Sequence, residues 1–201
     1  EYRSRNDLEK ITRQIDDISN ELGIAIVGGH SEIVSFIERP FLSLTCFGLT
    51  DRYIPTGGIE PGDKIILTKG AGIEATGILA TDFRDELEEK VDDEVLERGA
   101  SRLNQLSVLP EGSLLREYAT AMHDPTEGGV LAALFEMASA SGLAIEIDRE
   151  AIVVNSDTRQ ICKAAGVDPL KVFGSGALIA SVLPKTVREA LERLRSSGIK
   201  A

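Results

Sequence analysis

The apolar positions of the chain alternate between two periods. Near the start, Leu8, Ile11, Ile15, Ile18 and Leu22 recur at helical spacing. Asn6 and Glu9 suit the entry of that helix, and Gly23 suits its stop. Three apolar runs read as strands: Ile24–Val27, Phe41–Leu49 and Lys64–Thr68. A helix is predicted over "IEATGILATDF", and one charged helix over Arg84–Arg98 with Leu87, Val91 and Leu96 as its apolar edge. Leu114–Ala121 reads as another short helix. Val130, Leu131, Leu134, Phe135 and Ala138 then form one helical stripe. "LAIEID" and "AIVV" read as short strands, "TRQICKAAG" as a helix, "ALIASVL" as a strand and "KTVREALERLRSSG" as a final amphipathic helix. Strands alternating with helices predict an α/β chain with a mixed sheet in a two-layer, helix-on-sheet design. "PTGGIEPGD", Pro55–Asp63, is the most turn-like segment and the expected domain boundary.

The chain has 201 residues and a formal net charge of −11. That acidity argues against broad nucleic-acid or anionic-membrane binding, which want basic surfaces. It leaves room for a local nucleotide site, where backbone amides and a metal hold phosphates. Cys46 and Cys162 sit singly in apolar patterns, as reduced thiols would. No apolar run reaches membrane-spanning length and no signal peptide is visible, so a cytoplasmic protein is expected. The chain opens without Met, already entering a helix, and closes on what reads as a strand beginning. Both ends look cut from a longer protein.

Four glycine-bearing segments are candidates for chemistry. "VGGHSE" offers Gly28, Gly29 and His30, with Glu32 beside them, after a strand. "TKGAGIEATG" places Lys69, Gly70 and Gly72 in a strand–loop–helix context suited to an anion, although the Walker A order is missing. "HDPTEGG" combines the Asp124 carboxylate, the Thr126 hydroxyl, and Gly128 and Gly129. Asp124, Pro125 and Glu127 there resemble an ordinary capped helix start. The two glycines each cost about 1 kcal/mol in a helix relative to alanine, so close approach of a ligand or backbone is expected to compensate. A cap and a metal ligand are compatible, because a carboxylate has two oxygens. "FGSGALIA" is a small-residue turn ahead of a buried strand. Two histidines exclude multi-histidine zinc sites, and no G-x-S-x-G elbow is present.

The order of "GIAIVGGHSE", "RPFLSLTCFGL", "PGDKIILTKGAGIEATGILATDF", "MHDPTEGGVLAALFEMASASGLAIEID" and "ICKAAGVDPLKVFGSGALIASV" resembles the aminoimidazole ribonucleotide synthetase (PurM-like) superfamily. The HypE-like, AIR synthase-related branch is the nearest. The resemblance implies residues 1–54 as the end of an N-terminal, ATP-binding and dimerising domain, and residues 55–201 as a PurM-like C-terminal domain lacking its last strand. It implies ATP and Mg²⁺ as cofactors, with Asp124 facing the metal. Gly28, Gly29, His30, Lys69, Gly70, Gly72, Thr126, Gly128 and Gly129 would surround nucleotide or phosphate. The expected activity is ATP-dependent activation or phosphorylation of a substrate oxygen, on an unidentified small molecule or protein tail, in a homodimer. Two other readings stay open: a phosphotransferase like thiamine-monophosphate kinase, and a non-catalytic scaffold.

Overall fold

The computed structural model describes residues 5–35 and 39–201. The chain forms two compact units, Glu1–Thr50 and Asp51–Ala201.

In the first unit, helix α1 spans Arg5–Leu22 and already contains Asn6, the expected cap. It ends as predicted. Gly23 takes the left-handed conformation at φ 67°, and the Ile24 amide reaches back to the Ser19 carbonyl at 2.9 Å. The strands expected at Ile24–Val27 and Phe41–Leu49 do not form a ladder among the described residues. Both stretches run exposed, with Val27, Phe41, Phe47 and Leu49 all open to solvent. Apolar, β-prone sequence supplies the side chains of a strand, but a ladder also needs a neighbouring backbone to bond.

The second unit is built on a three-stranded sheet, with strands β1 Lys64–Leu67, β2 Ala119–His123 and β3 Ile179–Val182 in the order β1-β3-β2. Both pairings are antiparallel, where a mixed sheet was expected. Asp63 fastens the sheet at one end. Its Oδ2 accepts from the Glu60 amide at 3.0 Å, the Thr120 hydroxyl at 2.6 Å and the Ser181 hydroxyl at 2.9 Å, so one carboxylate holds all three strands. Strand alternation sends Ile66, Ala180 and Val182 to one face and Ile179 to the other, and the register shift between Ala119 and Ala121 puts Ala119 on the first face and Ala121 on the second.

Helices α5 Leu109–Leu115 and α8 Val187–Ser196 cover the first face through Leu115, Ala190 and Leu194. Helix α6 Gly129–Ser141 covers the second through Val130, Ala133, Leu134 and Met137. The sheet is therefore enclosed on both sides, not backed by one helical layer. A third cluster lies beside it, joining α2 Ile73–Asp82, α4 Asp93–Ala100 and α7 Ser156–Ala165 around Ala80, Leu96 and Ile161. Arg102 in the 3₁₀ helix Ser101–Gln105 closes that cluster with a two-pronged bond to the buried Asp157 of α7, at 2.8 and 3.0 Å.

Three element assignments change. The charged helix Arg84–Arg98 is broken: α3 Arg84–Leu87 is separated from α4 by an extended Asp92. Arg84 spans the break to Asp93 and, at 3.0 Å, to Glu97. Leu114–Ala121 is the end of α5 followed by the start of β2, where Ala119 and Ala121 pair with Val182 and Ser181 of β3. "LAIEID" and "AIVV" run without ladder partners and are not strands.

Candidate functional site

Three of the four glycine-bearing segments meet in the second unit around the segment Pro169–Gly174. A Cβ on Gly72 would lie 3.1 Å from the Pro169 carbonyl oxygen. One on Gly129 would lie 2.6 Å from the Val172 carbonyl and 2.7 Å from that of Leu170, and one on Gly174 would lie 2.6 Å from the Pro125 carbonyl. Real Cβ atoms essentially never come within 3.0 Å of backbone, so glycine is required at Gly129 and Gly174; at Gly72 the contact is only tight, and its φ of 70° is what favours glycine. The fourth segment belongs to the first unit. There Gly28 and Gly29 have open space about them, and His30 faces Glu32 at 3.7 Å.

Asp124 does not cap the helix. The helix begins five residues later, at Gly129, and its N-cap is Gly128, with no side-chain cap bond. Gly128 and Gly129 both take positive φ, 77° and 65°, which an L side chain disfavours and which postpones the helix start. This resolves the puzzle of the paired glycines: the backbone needs them for its turn, and Gly129 also needs the space. The Gly129 and Leu131 amides are already bonded to the Thr126 and Leu170 carbonyls, at 3.1 Å each.

The loop is thereby held on both sides, and its polar side chains are left outside. Asp124, Thr126 and Glu127 are exposed. Behind them, His123 at the end of β2 is mostly covered. Its Nε2 lies 2.7 Å from Glu136 Oε2 on α6, and its Nδ1 lies 3.7 Å from Asp124 Oδ1. Glu136 was not among the expected residues; its place one helical turn past Ala132, on the exposed side of α6, was the only available signal. The donor set of a carboxylate, a hydroxyl and a neighbouring carboxylate suits a hard cation such as magnesium. Among the described residues, no three His, Cys, Asp or Glu side chains gather closely enough to hold a metal by themselves.

The Lys69 loop has a different character. Lys69 takes φ 57°, and its Nζ donates to the Gln105 and Ser107 carbonyls at 3.0 and 2.8 Å and pairs with Glu111 at 2.8 Å. Its charge is spent inside the domain. Glu111 is 2 % exposed, and Lys69 compensates its charge. The Lys69, Gly70 and Ala71 amides bond the Lys200, Thr68 and Val153 carbonyls at 2.8, 2.6 and 2.9 Å.

Residues 60–201 match the family model for the AIR synthase related protein, C-terminal domain. The chain belongs to this family. It is 31% identical over 193 residues to a putative hydrogenase expression/formation protein of Methanocaldococcus jannaschii, covering 94% of this chain and 55% of that protein. To the carbamoyl dehydratase HypE of Rhizobium leguminosarum bv. viciae it is 28% identical, covering 97% of this chain and 55% of that one. The fold matches that of a hydrogenase maturation protein HypE solved in complex with ATP, with TM-score 0.68 at 22% identity, over 96% of this chain and 56% of that structure. The chain thus spans a little over half the length of the relatives it matches. The PurM-like expectation for the fold holds.

Proposed function

We propose that the chain is part of an ATP-dependent, HypE-like maturation factor, and that the loop His123–Gly129 presents Asp124 and Thr126 to a magnesium–nucleotide complex. The observation that carries this reading is the Asp124 carboxylate. It is exposed, makes no cap bond, and rides on a loop fixed by backbone contacts on both sides. A rigid loop with an exposed carboxylate holds a cation at little ordering cost. Family membership and the ATP-bound HypE relative favour ATP-dependent chemistry, in which bound Mg–ATP would activate an oxygen of the substrate by phosphoryl transfer. Asp124 would hold the metal, the Thr126 hydroxyl would bond a phosphate oxygen, and the Glu136–His123 pair would keep the carboxylate facing outward. The full-length protein would act as a homodimer on a small molecule or protein tail.

The test is a nucleotide titration of the full-length protein with magnesium. Asp124→Asn keeps shape and removes charge. It is expected to weaken Mg–ATP binding at least tenfold, about 1.4 kcal/mol, while leaving the melting temperature in place. Unchanged affinity would refute the role of Asp124.

A further inference from the structure

The Lys69 ammonium lies in a cage of oxygens that the proposed nucleotide site does not use. Its Nζ is 3.0 Å from the Gln105 carbonyl, 2.8 Å from the Ser107 carbonyl and 2.8 Å from Glu111 Oε1. The cage is held by its surroundings. Gln105 ends the 3₁₀ helix, and its carbonyl oxygen lies 2.8 Å from where a Cβ on Gly176 would be. Glu111 sits in the first turn of α5, with its side chain 3 % exposed. The Lys69 amide bonds the Lys200 carbonyl at 2.8 Å, and the Lys69 carbonyl accepts from Asn155 Nδ2 at 2.9 Å. The backbone that carries the ammonium is therefore fixed independently of the side chain.

One oxygen of the cage is left over. Glu111 Oε2 is buried and has no hydrogen-bond partner among the described residues. A lysine ammonium has three hydrogens to donate, and the other three oxygens take them. A spherical cation has no such limit and can hold both oxygens of one carboxylate. The single carboxylate sets the charge of the guest at +1. The radius of 2.8–3.0 Å sets its size. Magnesium and calcium hold oxygens at about 2.0–2.1 Å and about 2.3–2.6 Å, so the cage is too wide for either.

We propose that the Gln105 and Ser107 carbonyls and the Glu111 carboxylate form a monovalent-cation site, of which the Lys69 ammonium is the tethered occupant. What segment 105–111 requires at this point is one positive charge of ammonium size, whichever molecule carries it. The inference uses none of the residues of the proposed nucleotide site and is independent of that reading.

Cation rescue tests it. Lys69→Gly empties the cage and suits the backbone φ of 57°. Its urea unfolding is followed while potassium chloride replaces choline chloride at constant ionic strength, which keeps general screening fixed. The folding equilibrium constant is expected to rise at least about fivefold, as linkage gives once the ion exceeds about four times its Kd. The parent chain, its site already filled, should not respond. Neither should Lys69→Gly combined with Glu111→Gln, which lacks the carboxylate charge. If Lys69→Gly stays unfolded in both salts, n-butylammonium chloride is compared with tetramethylammonium chloride. The first restores the missing stem as well as the charge, and folding with it alone is the expected result. A folded Lys69→Gly whose stability ignores potassium would overturn the proposal, as would an unfolded one that butylammonium does not recover. An equal potassium response in the parent chain or in the double variant would overturn it too, because the ion would then act elsewhere.

Discussion

Gly129→Ala separates a backbone reason for the paired glycines from a ligand reason. At φ 65° an alanine pays for the left-handed conformation, about 1–2 kcal/mol. Its Cβ would also meet the Val172 and Leu170 carbonyl oxygens at 2.6 and 2.7 Å. Both obstacles are backbone, and Leu170 is itself bonded to the Leu131 amide, so the neighbour cannot swing aside as a side chain would. Overpacking of this kind costs about 1–3 kcal/mol. Reduced freedom of the unfolded chain offsets about 0.4–1 kcal/mol. The expected loss is about 1–5 kcal/mol, read as a lowered urea midpoint at unchanged slope. Gly112→Ala in α5 is the control: nothing lies within 4 Å of its Cβ and its φ is not positive, so stability should hold or rise by up to about 1 kcal/mol. A Gly129→Ala protein within about 0.5 kcal/mol of the parent would refute the packing argument and leave ligand approach as the reason for the glycine.

Breaking the buried Arg102–Asp157 bond with Asp157→Asn should cost about 3–5 kcal/mol, measured by denaturant unfolding, because it leaves an uncompensated guanidinium. Burial pushes the Asp157 carboxyl up, but the Arg102 hydrogen bonds and charge outweigh it and hold the folded value below the ordinary one. Its stabilisation is therefore full above the unfolded value near about 4 and is lost as pH falls through the depressed folded value; Asp157→Asn should flatten that acid-side slope. Lys69→Met strands the buried Glu111 and should cost about 3–5 kcal/mol, whereas Lys69→Met with Glu111→Leu should recover most of it, read by the same unfolding curves. Thiol titration should find Cys46 fast and Cys162 silent until denaturation, since burial pushes the Cys162 thiol up to about 11.

What the sequence discloses here depends on how local the deciding interaction is. Helices α2, α6, α7 and α8 are legible because a stripe and its stop lie within one window; Gly142 and Gly166 end α6 and α7 in the left-handed conformation the pattern implies. Strands are legible only where a partner exists. Lys64–Leu67 and Ile179–Val182 form because each finds the other, whereas "LAIEID" has equal alternation and no ladder beside it. The same limit applies to chemistry. The motif at His123–Gly129 could be picked out by residue type, but the capping role given to Asp124 fails because two left-handed glycines delay the helix to Gly129. Lys69 could be picked out as a cation in a glycine loop. That its charge is consumed by Glu111 and two carbonyls depends on a helix distant in sequence, folded over it. A lysine among glycines is thus a phosphate candidate only until its nearest carboxylate is known, and an aspartate before a helix is a cap only until the helix start is known. For the proposed site, both observations favour the exposed oxygens of Asp124 and Thr126 over the Lys69 ammonium.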